Sequence, residues 1–286
     1  MSKWYQFNAA LMLLAASTTA NAGSVDLGEA SGYTLVIKND FQYATGDVQG
    51  FSAIGGDVVS YSGQADYFEH QVDLFGIETP EMISDFTQTF DYLSGLSDQL
   101  AGYSSTGTTN VEWGTLEFKA AQGSENQDVH IFDVDFEQLA SAHTIKYSGI
   151  ESGQIIVNVN GDSASTLNFG GQYFEDEMLN YLDNSLAGRV ASDIMFNFNQ
   201  VTDLNLSQTL YASVLAPNSN ITAQGAATFW GQIIANSWST THASQFNYDL
   251  FANVVDEPVV EVSEPRNLAL FLFALLALIW RQYKLN

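Results

Sequence analysis

"YASVLAPNSNITAQGAATFWGQIIANSW", residues 211–238, decides the fold. Ala212, Val214 and Ala216 occupy alternate positions in it, and Ile233 and Ala235 repeat the pattern further on. Small or β-branched side chains on one face suit a thin core between closely stacked strands. Pro217-Asn218 is turn chemistry, and Gly225 and Gly231 permit the close backbone approaches a coiled sheet needs at its corners. The stretch predicts short strands that turn often, not helices.

The same grammar runs through most of the chain. "YTLVI" (33–37), "VHIFDVDF" (129–136), "QIIVNVN" (154–160) and "IMFNFN" (194–199) alternate or nearly so, separated by Gly, Asn, Asp and Ser. Phe132, Val134 and Phe136 share one face, as do Ile155, Val157 and Val159, and Ile194, Phe196 and Phe198. No internal period of 20–50 residues stands out, which argues against a regular repeat array. The residues alone leave a β-sandwich open as an alternative to a solenoid.

Two segments read as helix. From Thr79 to Gly102, Ile83, Phe86, Phe90, Leu93, Leu96 and Leu100 draw one stripe at steps of three and four. Thr79 as N-cap, Pro80 at the first helical position and Gly102 at the end predict one long helix of about 23 residues lying along the β body. In "EDEMLNYLDNSLAG" (175–188), Met178, Leu179, Leu182 and Leu186 predict a second, shorter helix.

The ends are of a different kind. "MSKWYQFNAALMLLAASTTANA" has one early base, a short apolar stretch and small residues at Ala20 and Ala22, the layout of a secretory signal peptide cut after residue 22. Residues 23–254 then form the β domain and residues 255–262, with Pro258, a linker. In "SEPRNLALFLFALLALIWRQYKLN" (263–286), an uncharged run over Leu268–Trp280 is flanked by Arg266, Arg281 and Lys284. As a helix it is about 20 Å long, short of a hydrocarbon core of roughly 30 Å. The basic end stays cytoplasmic and the domain is exported.

Composition excludes several functions. The chain carries a net charge of −25, and between its ends only Lys38, Lys119, Lys146 and Arg189 are basic. Such a surface repels nucleic acid and anionic lipid. There is no cysteine to form disulfides, act as nucleophile or bind metal. His70, His130, His143 and His242 lack the spacing of a zinc site, and His130 reads as a structural histidine opposite Ile131. Asp133 and Asp135 share one side of a strand, roughly 6–7 Å apart, and are the one acidic pair that a polysaccharide hydrolase would use. Glu175-Asp176-Glu177 and the group Asp57, Asp66 and Glu69 are the candidates for Ca²⁺, though no complete calcium loop is present. No catalytic or cofactor-binding residue is assigned. Threonine ranks of the kind an ice-binding face would need are absent from "SSTGTTN" (104–110) and "STTHAS" (239–244).

"TGDVQGFSAIGGDVVSYSG" (45–63) resembles the opening of the choice-of-anchor A domain, with Gly50, Gly55 and Gly56 at its turns. Ser213-Val214-Leu215-Ala216-Pro217-Asn218, then Gly225, then Gly231-Gln232-Ile233-Ile234-Ala235 are similar to that family's closing signature. "HIFDVDFEQL", "IIVNVNG" and "IMFNFNQVTDLNL" stand between them in the family's order, so the resemblance covers roughly residues 26–252. The tail resembles a PEP-CTERM sorting signal, with Ser263 in place of the first proline of its Pro-Glu-Pro motif. Together the resemblances imply a β-solenoid like that of ice-binding-type adhesive domains, with one long helix beside it. They imply a non-enzymatic adhesive or biofilm-associated protein at the surface of a Gram-negative bacterium or outside it. Its implied partners are an exosortase-type sorting protease, the membrane through the tail before processing, and an extracellular polysaccharide or matrix protein. A polysaccharide hydrolase and a self-associating scaffold are the alternatives.

Overall fold

Parallel pairing of short strands, coil after coil, is the rule of this chain. The computed structural model describes residues 25–61, 79–162, 165–180 and 191–251, together with the backbone of 68–71. Chain contacts separate residues 1–253 from 254–286, and every described residue belongs to the first unit. The signal peptide (1–22), the linker (255–262) and the tail (263–286) read from the sequence lie outside the described residues.

The first two coils are β1 (Leu35–Ile37), β2 (Phe41–Tyr43) and β3 (Thr45–Gln49), then β4 (Ser52–Ile54), β5 (Val58–Ser60) and β6 (Phe68–Gln71). Helix α1 (Phe86–Ala101) follows, then β7 (Gly107–Glu112) and β8 (Thr115–Ala120). Next come β9 (Val129–Asp135), α2 (Phe136–Ser141), β10 (Thr144–Ser148), β11 (Gln154–Asn160) and β12 (Thr166–Asn168). After β13 (Gly171–Phe174) and β14 (Glu177–Met178) the chain returns through β15 (Ile194–Asn197), β16 (Asp203–Ser207) and β17 (Leu210–Tyr211). It ends in β18 (Ser213–Ala223), β19 (Ala227–Trp230), β20 (Ile233–Thr240) and β21 (Ala243–Asn247).

These strands form three sheets. The largest runs β4-β1-β20-β18-β15-β11-β9 along one side, and β5-β2-β20-β18-β16-β12 along the next, because β18 and β20 are long enough to serve both. The others run β6-β3-β21-β19-β17 and β14-β13-β10-β8-β7. Among the described pairings only β7–β8 and β13–β14 are antiparallel. A sandwich of antiparallel sheets is thereby replaced by a β-helix-like stack. The stack is not in chain order: β1 lies between β20 and β4, so the N-terminal coils continue the pile beyond the C-terminal one.

The repeat absent at 20–50 residues exists at a shorter period. Asp203, Asn220 and Ser237 are in register and 17 residues apart, as are Phe41 and Val58 in the first two coils. Insertions hide it elsewhere, since Ile155 is in register with Ile194 across a far longer connection. Pro217-Asn218 does not break the chain into two strands. It lies inside β18, at the irregularity between Ala216 and Asn220 where the sheet bends from one side to the next.

Two clusters share the middle strands. Ile155, Val157, Ile194, Phe196, Val214 and Ile233 point into the solenoid with Phe132 and Val134, while Ile156, Met195, Leu215 and Ile234 face the other way. That second face is covered by Phe90, Leu93 and Leu100 of α1, so β11 is buried on both sides. The helix corrects the sequence reading: it has 16 residues and starts at Phe86. Asp85 caps it by accepting from the Thr87 and Gln88 N–H groups at 2.9 and 3.1 Å. Thr79–Asp85 stays non-helical, and Ile83 packs into the same cluster from there. The helix is fastened by a buried polar pair in register, Asn158 and Asn197, which donate to the Leu100 and Ser97 carbonyls at 2.9 Å. The helix expected over 175–188 is also corrected at its start. Glu177-Met178 forms β14 against Phe174-Tyr173, with Leu179 buried and Met178 exposed, and residues 181–188 lie outside the described residues.

Candidate functional site

The second side of the large sheet, over β12, β16, β18, β20 and β2, presents an array of short polar side chains that ends at β5 in the exposed Val59. Its inner row, Leu204, Ile221, Trp238 and Phe41, is buried in the solenoid core. The alternate positions face outward, which follows from the two-residue period of a strand. One outward row in register is Thr166, Asn205, Thr222, Ser239, Gln42 and Val59. A second is Asp203, Asn220 and Ser237. With strands about 4.8 Å apart, the first row spans roughly 24 Å.

Hydrogen bonds between coils pin these side chains. Asn39 donates to Asn236 at 2.8 Å, Asn236 to Asn220 at 2.7 Å, and Asn220 to Asp203 at 3.5 Å, forming a ladder at the corner of the solenoid. Ser237 also donates to Asn220 at 2.8 Å, and Ser239 donates to the Gln42 side chain at 3.0 Å. Thr166 donates to Gln224, which donates to Asn205, each at 3.1 Å. The result is a fixed grid of amides and hydroxyls, a surface that can match a repeating hydroxylated partner and pays little ordering entropy in doing so. Sequence reading missed these residues. The signal that would have found them is the 17-residue spacing, visible only once the stacking order is known.

The third side carries an open groove of about 310 Å³ lined by Gly46, Asp47, Thr209, Ala226, Ala227, Thr228, Ala243, Ser244 and Gln245.

The residues singled out for chemistry are dispersed. Asp135 ends β9 and caps α2, its N–H donating to the Gln138 side chain at 3.3 Å. Asp133 is half-buried, with its carbonyl taken by Thr109 at 2.8 Å. Of the acidic run, Glu175 accepts from the Ile150 N–H at 3.2 Å and Asp176 pairs with Lys146 at 2.8 Å. Asp57 donates its N–H to Asp40, while the side chains of Asp66, Glu69 and His70 lie outside the described residues. Among the described residues no three His, Cys, Asp or Glu side chains gather to hold a metal. His143 and His242 are exposed. His130 is buried, bonded through Nε2 to the Ser152 carbonyl at 2.9 Å, and burial lowers its pKa. Its neutral form therefore costs stability as pH falls below about 6.5, where the unfolded chain takes up a proton first.

Asp249 behaves in the opposite sense. Burial raises its carboxyl from 3.8 to about 7. Between those values the folded chain holds a proton that the unfolded chain has released, so stability falls as pH rises through that window. Asp249→Asn should raise stability at pH 8 by about 2 kcal/mol, after allowance for solvent screening at this half-buried site, and leave it unchanged at pH 3. Urea midpoints at the two pH values check this, and an equal gain at both would contradict it.

With fold and face described, the comparisons with known proteins fall into place. Residues 76–248, more than half the chain, match the family model described as "Putative Ice-binding-like adhesive domain". The chain belongs to this ice-binding-like adhesive domain family. No curated protein matches it. Among solved structures it is similar to an ice-binding protein from an Antarctic Flavobacteriaceae bacterium, at 10% identity and a TM-score of 0.42. That match covers 82% of this chain and 51% of the other. An ice-binding protein from an Antarctic biological consortium is similar at 12% identity and a TM-score of 0.37, over 78% of this chain and 90% of that one. The ice-binding protein domain of Shewanella frigidimarina gives 10% and 0.36, over 79% and 98%. Among the described residues no helix is long and apolar enough to cross a membrane.

Proposed function

We propose that this chain is an exported, non-enzymatic adhesive protein that binds an extended extracellular partner through the polar face. The observation that carries the reading is an outward polar row in register, Thr166, Asn205, Thr222, Ser239 and Gln42, tied laterally at Thr166–Gln224–Asn205 and at Ser239–Gln42, in a chain of the ice-binding-like adhesive family. The face mixes Asn, Gln, Ser and Thr with the charged Asp203, so its chemistry suits a hydroxylated polymer or matrix protein better than the uniform lattice of ice. Membrane-directed sorting through residues 263–286, with removal of residues 1–22, belongs to the same proposal, as does a place at the cell surface or outside it.

The test is a binding screen of the mature protein against extracellular polysaccharides, matrix proteins and ice, with calcium and with chelator. Thr222→Tyr, which raises a ring from the middle of the grid, should weaken partner binding about tenfold with the fold intact. Thermal hysteresis that Thr222→Tyr removes would instead make the partner ice. Hydrolysis of a polysaccharide, lost in the double variant Asp133→Asn, Asp135→Asn, would overturn the non-enzymatic reading. An intact mass that still includes Leu268–Trp280 would replace sorting by a permanent tether.

A further inference from the structure

The four residues joining β7 to β8, Glu112-Trp113-Gly114-Thr115, make a two-residue hairpin turn that breaks two rules at once. Trp113 has φ 51° and Gly114 φ 79°, both in the left-handed region that this tight turn requires. Glycine accepts that conformation, but a bulky aromatic residue resists it at a cost of about 1–2 kcal/mol. The same tryptophan is 96% exposed, the most exposed large apolar side chain among the described residues. Neither strain nor exposure contributes to the fold.

The turn is nevertheless held firmly. The Gly114 carbonyl accepts from the backbone N–H groups of His143 and Thr144 at 2.8 and 3.2 Å. The Trp113 indole N–H donates to the Glu112 carboxylate at 3.2 Å, which leaves the ring faces open. From this tip a row runs in register across the sheet, Thr115, Thr144 and Gly171. At its far end the Tyr173 ring lies against Gly171, where an added Cβ would come within 3.2 Å of it. The far strand is two strand spacings, roughly 10 Å, from β8. Trp113 thus stands at the tip where this row begins, and the Tyr173 ring lies beside Gly171 where it ends, with Lys146 and Glu117 in register with Tyr173, on a sheet separate from the polar grid.

We propose that this hairpin tip and row form a second site, for a neutral polysaccharide chain. The negative face of an aromatic ring attracts the polarised C–H face of a sugar ring, and the intervening hydroxyls and Glu112 supply hydrogen bonds. Charge selects the neutral chain. The protein carries a net −25, Glu112 and Glu117 belong to this sheet, its Lys146 is engaged by Asp176, and its Lys119 stands near the far end of β8 from the hairpin tip. An anionic glycan or an anionic membrane is repelled.

The test uses the full chain and calorimetric titration with cellohexaose, laminarihexaose and mannohexaose, with an oligogalacturonate and hexalysine as charged controls. At least one neutral oligosaccharide should bind, Trp113→Ala should weaken it about tenfold, and Trp113→Phe should stay within about threefold. Oligosaccharide binding lost in Trp113→Ala and kept in Thr222→Tyr assigns it to the hairpin, whereas binding lost in Thr222→Tyr and kept in Trp113→Ala assigns it to the polar grid and refutes this site. Circular dichroism confirms that each variant is folded. The site is refuted by absence of binding to all three neutral oligosaccharides at millimolar concentration, or by equal affinity of wild type and Trp113→Ala. Tighter binding of oligogalacturonate than of the neutral sugars, or hexalysine binding that Trp113→Ala removes, also refutes it.

Discussion

Gln232→Leu is expected to destabilise the protein by about 4 kcal/mol, far more than an isosteric change at one polar residue usually does. Gln232 is fully buried, and its side chain joins parts of the chain remote in sequence. The amide nitrogen donates to the carbonyls of Ala30, Ser31 and Tyr33 at 3.1, 3.2 and 2.7 Å. Its oxygen accepts from the Phe251 N–H at 2.9 Å. Leucine keeps the volume and removes both halves: the Ala30 carbonyl still accepts from the Tyr33 N–H at 3.2 Å, but the Tyr33 carbonyl and the Phe251 N–H lose the Gln232 side chain, at about 1–3 kcal/mol each. Gln232→Glu should be as damaging at pH 7, because a carboxylate cannot donate to the three carbonyls. Urea denaturation measures the loss, and hydrogen exchange should locate it first in residues 30–33. A leucine variant within 1 kcal/mol of wild type would show that the N-terminal segment is held by other means.

The second large effect is expected at Gly46→Ala, about 3–5 kcal/mol. Gly46 is in register with Ser244 at φ +149°, and a Cβ there would lie 1.7 Å from the Ser244 carbonyl oxygen and 2.8 Å from its carbon. Both atoms are backbone, so no side chain can swing aside, and β3 must move away from β21. Amide exchange in β3 and β21 should quicken more than in β11 or β15. Gly95→Ala is the matched control: it lies in α1 with nothing within 4 Å of the added carbon. Removing a helix glycine there should stabilise by about 0.5–1 kcal/mol. Similar values for the two alanines would contradict the close-approach argument.

Gln232 also shows how far a motif can be read. The closing signature is visible as Gly231-Gln232-Ile233 in the sequence, but nothing there says that the glutamine reaches back to Ala30. Hydrogen-bond partners two hundred residues apart leave no local pattern. The acidic pair shows the reverse: the alternation of Asp133 and Asp135 is legible, while the role of Asp135 as the cap of α2 depends on where β9 stops. The start of α1 was misread for a similar reason. Thr79 and Asp85 are both plausible caps, and Tyr33 holds the intervening segment by donating to the Glu81 carbonyl at 3.0 Å.

By itself the sequence determined the strand faces, the absence of cysteine chemistry, the acidic charge and the likeness to ice-binding-type adhesive domains. Alternation and composition are local properties, and burial acts on them residue by residue. Only the tertiary structure decided the stacking order. A parallel strand takes its partner from coil geometry, not from the nearest neighbour in the chain, so β1 can enter between β20 and β4. That order brings residues 17 apart into rows, turning scattered Asn, Thr and Ser side chains into a polar face. It also buries the middle strands twice, once inside the solenoid and once under α1. A period of two reports which residues share a side; what lies against each side is settled by long-range packing.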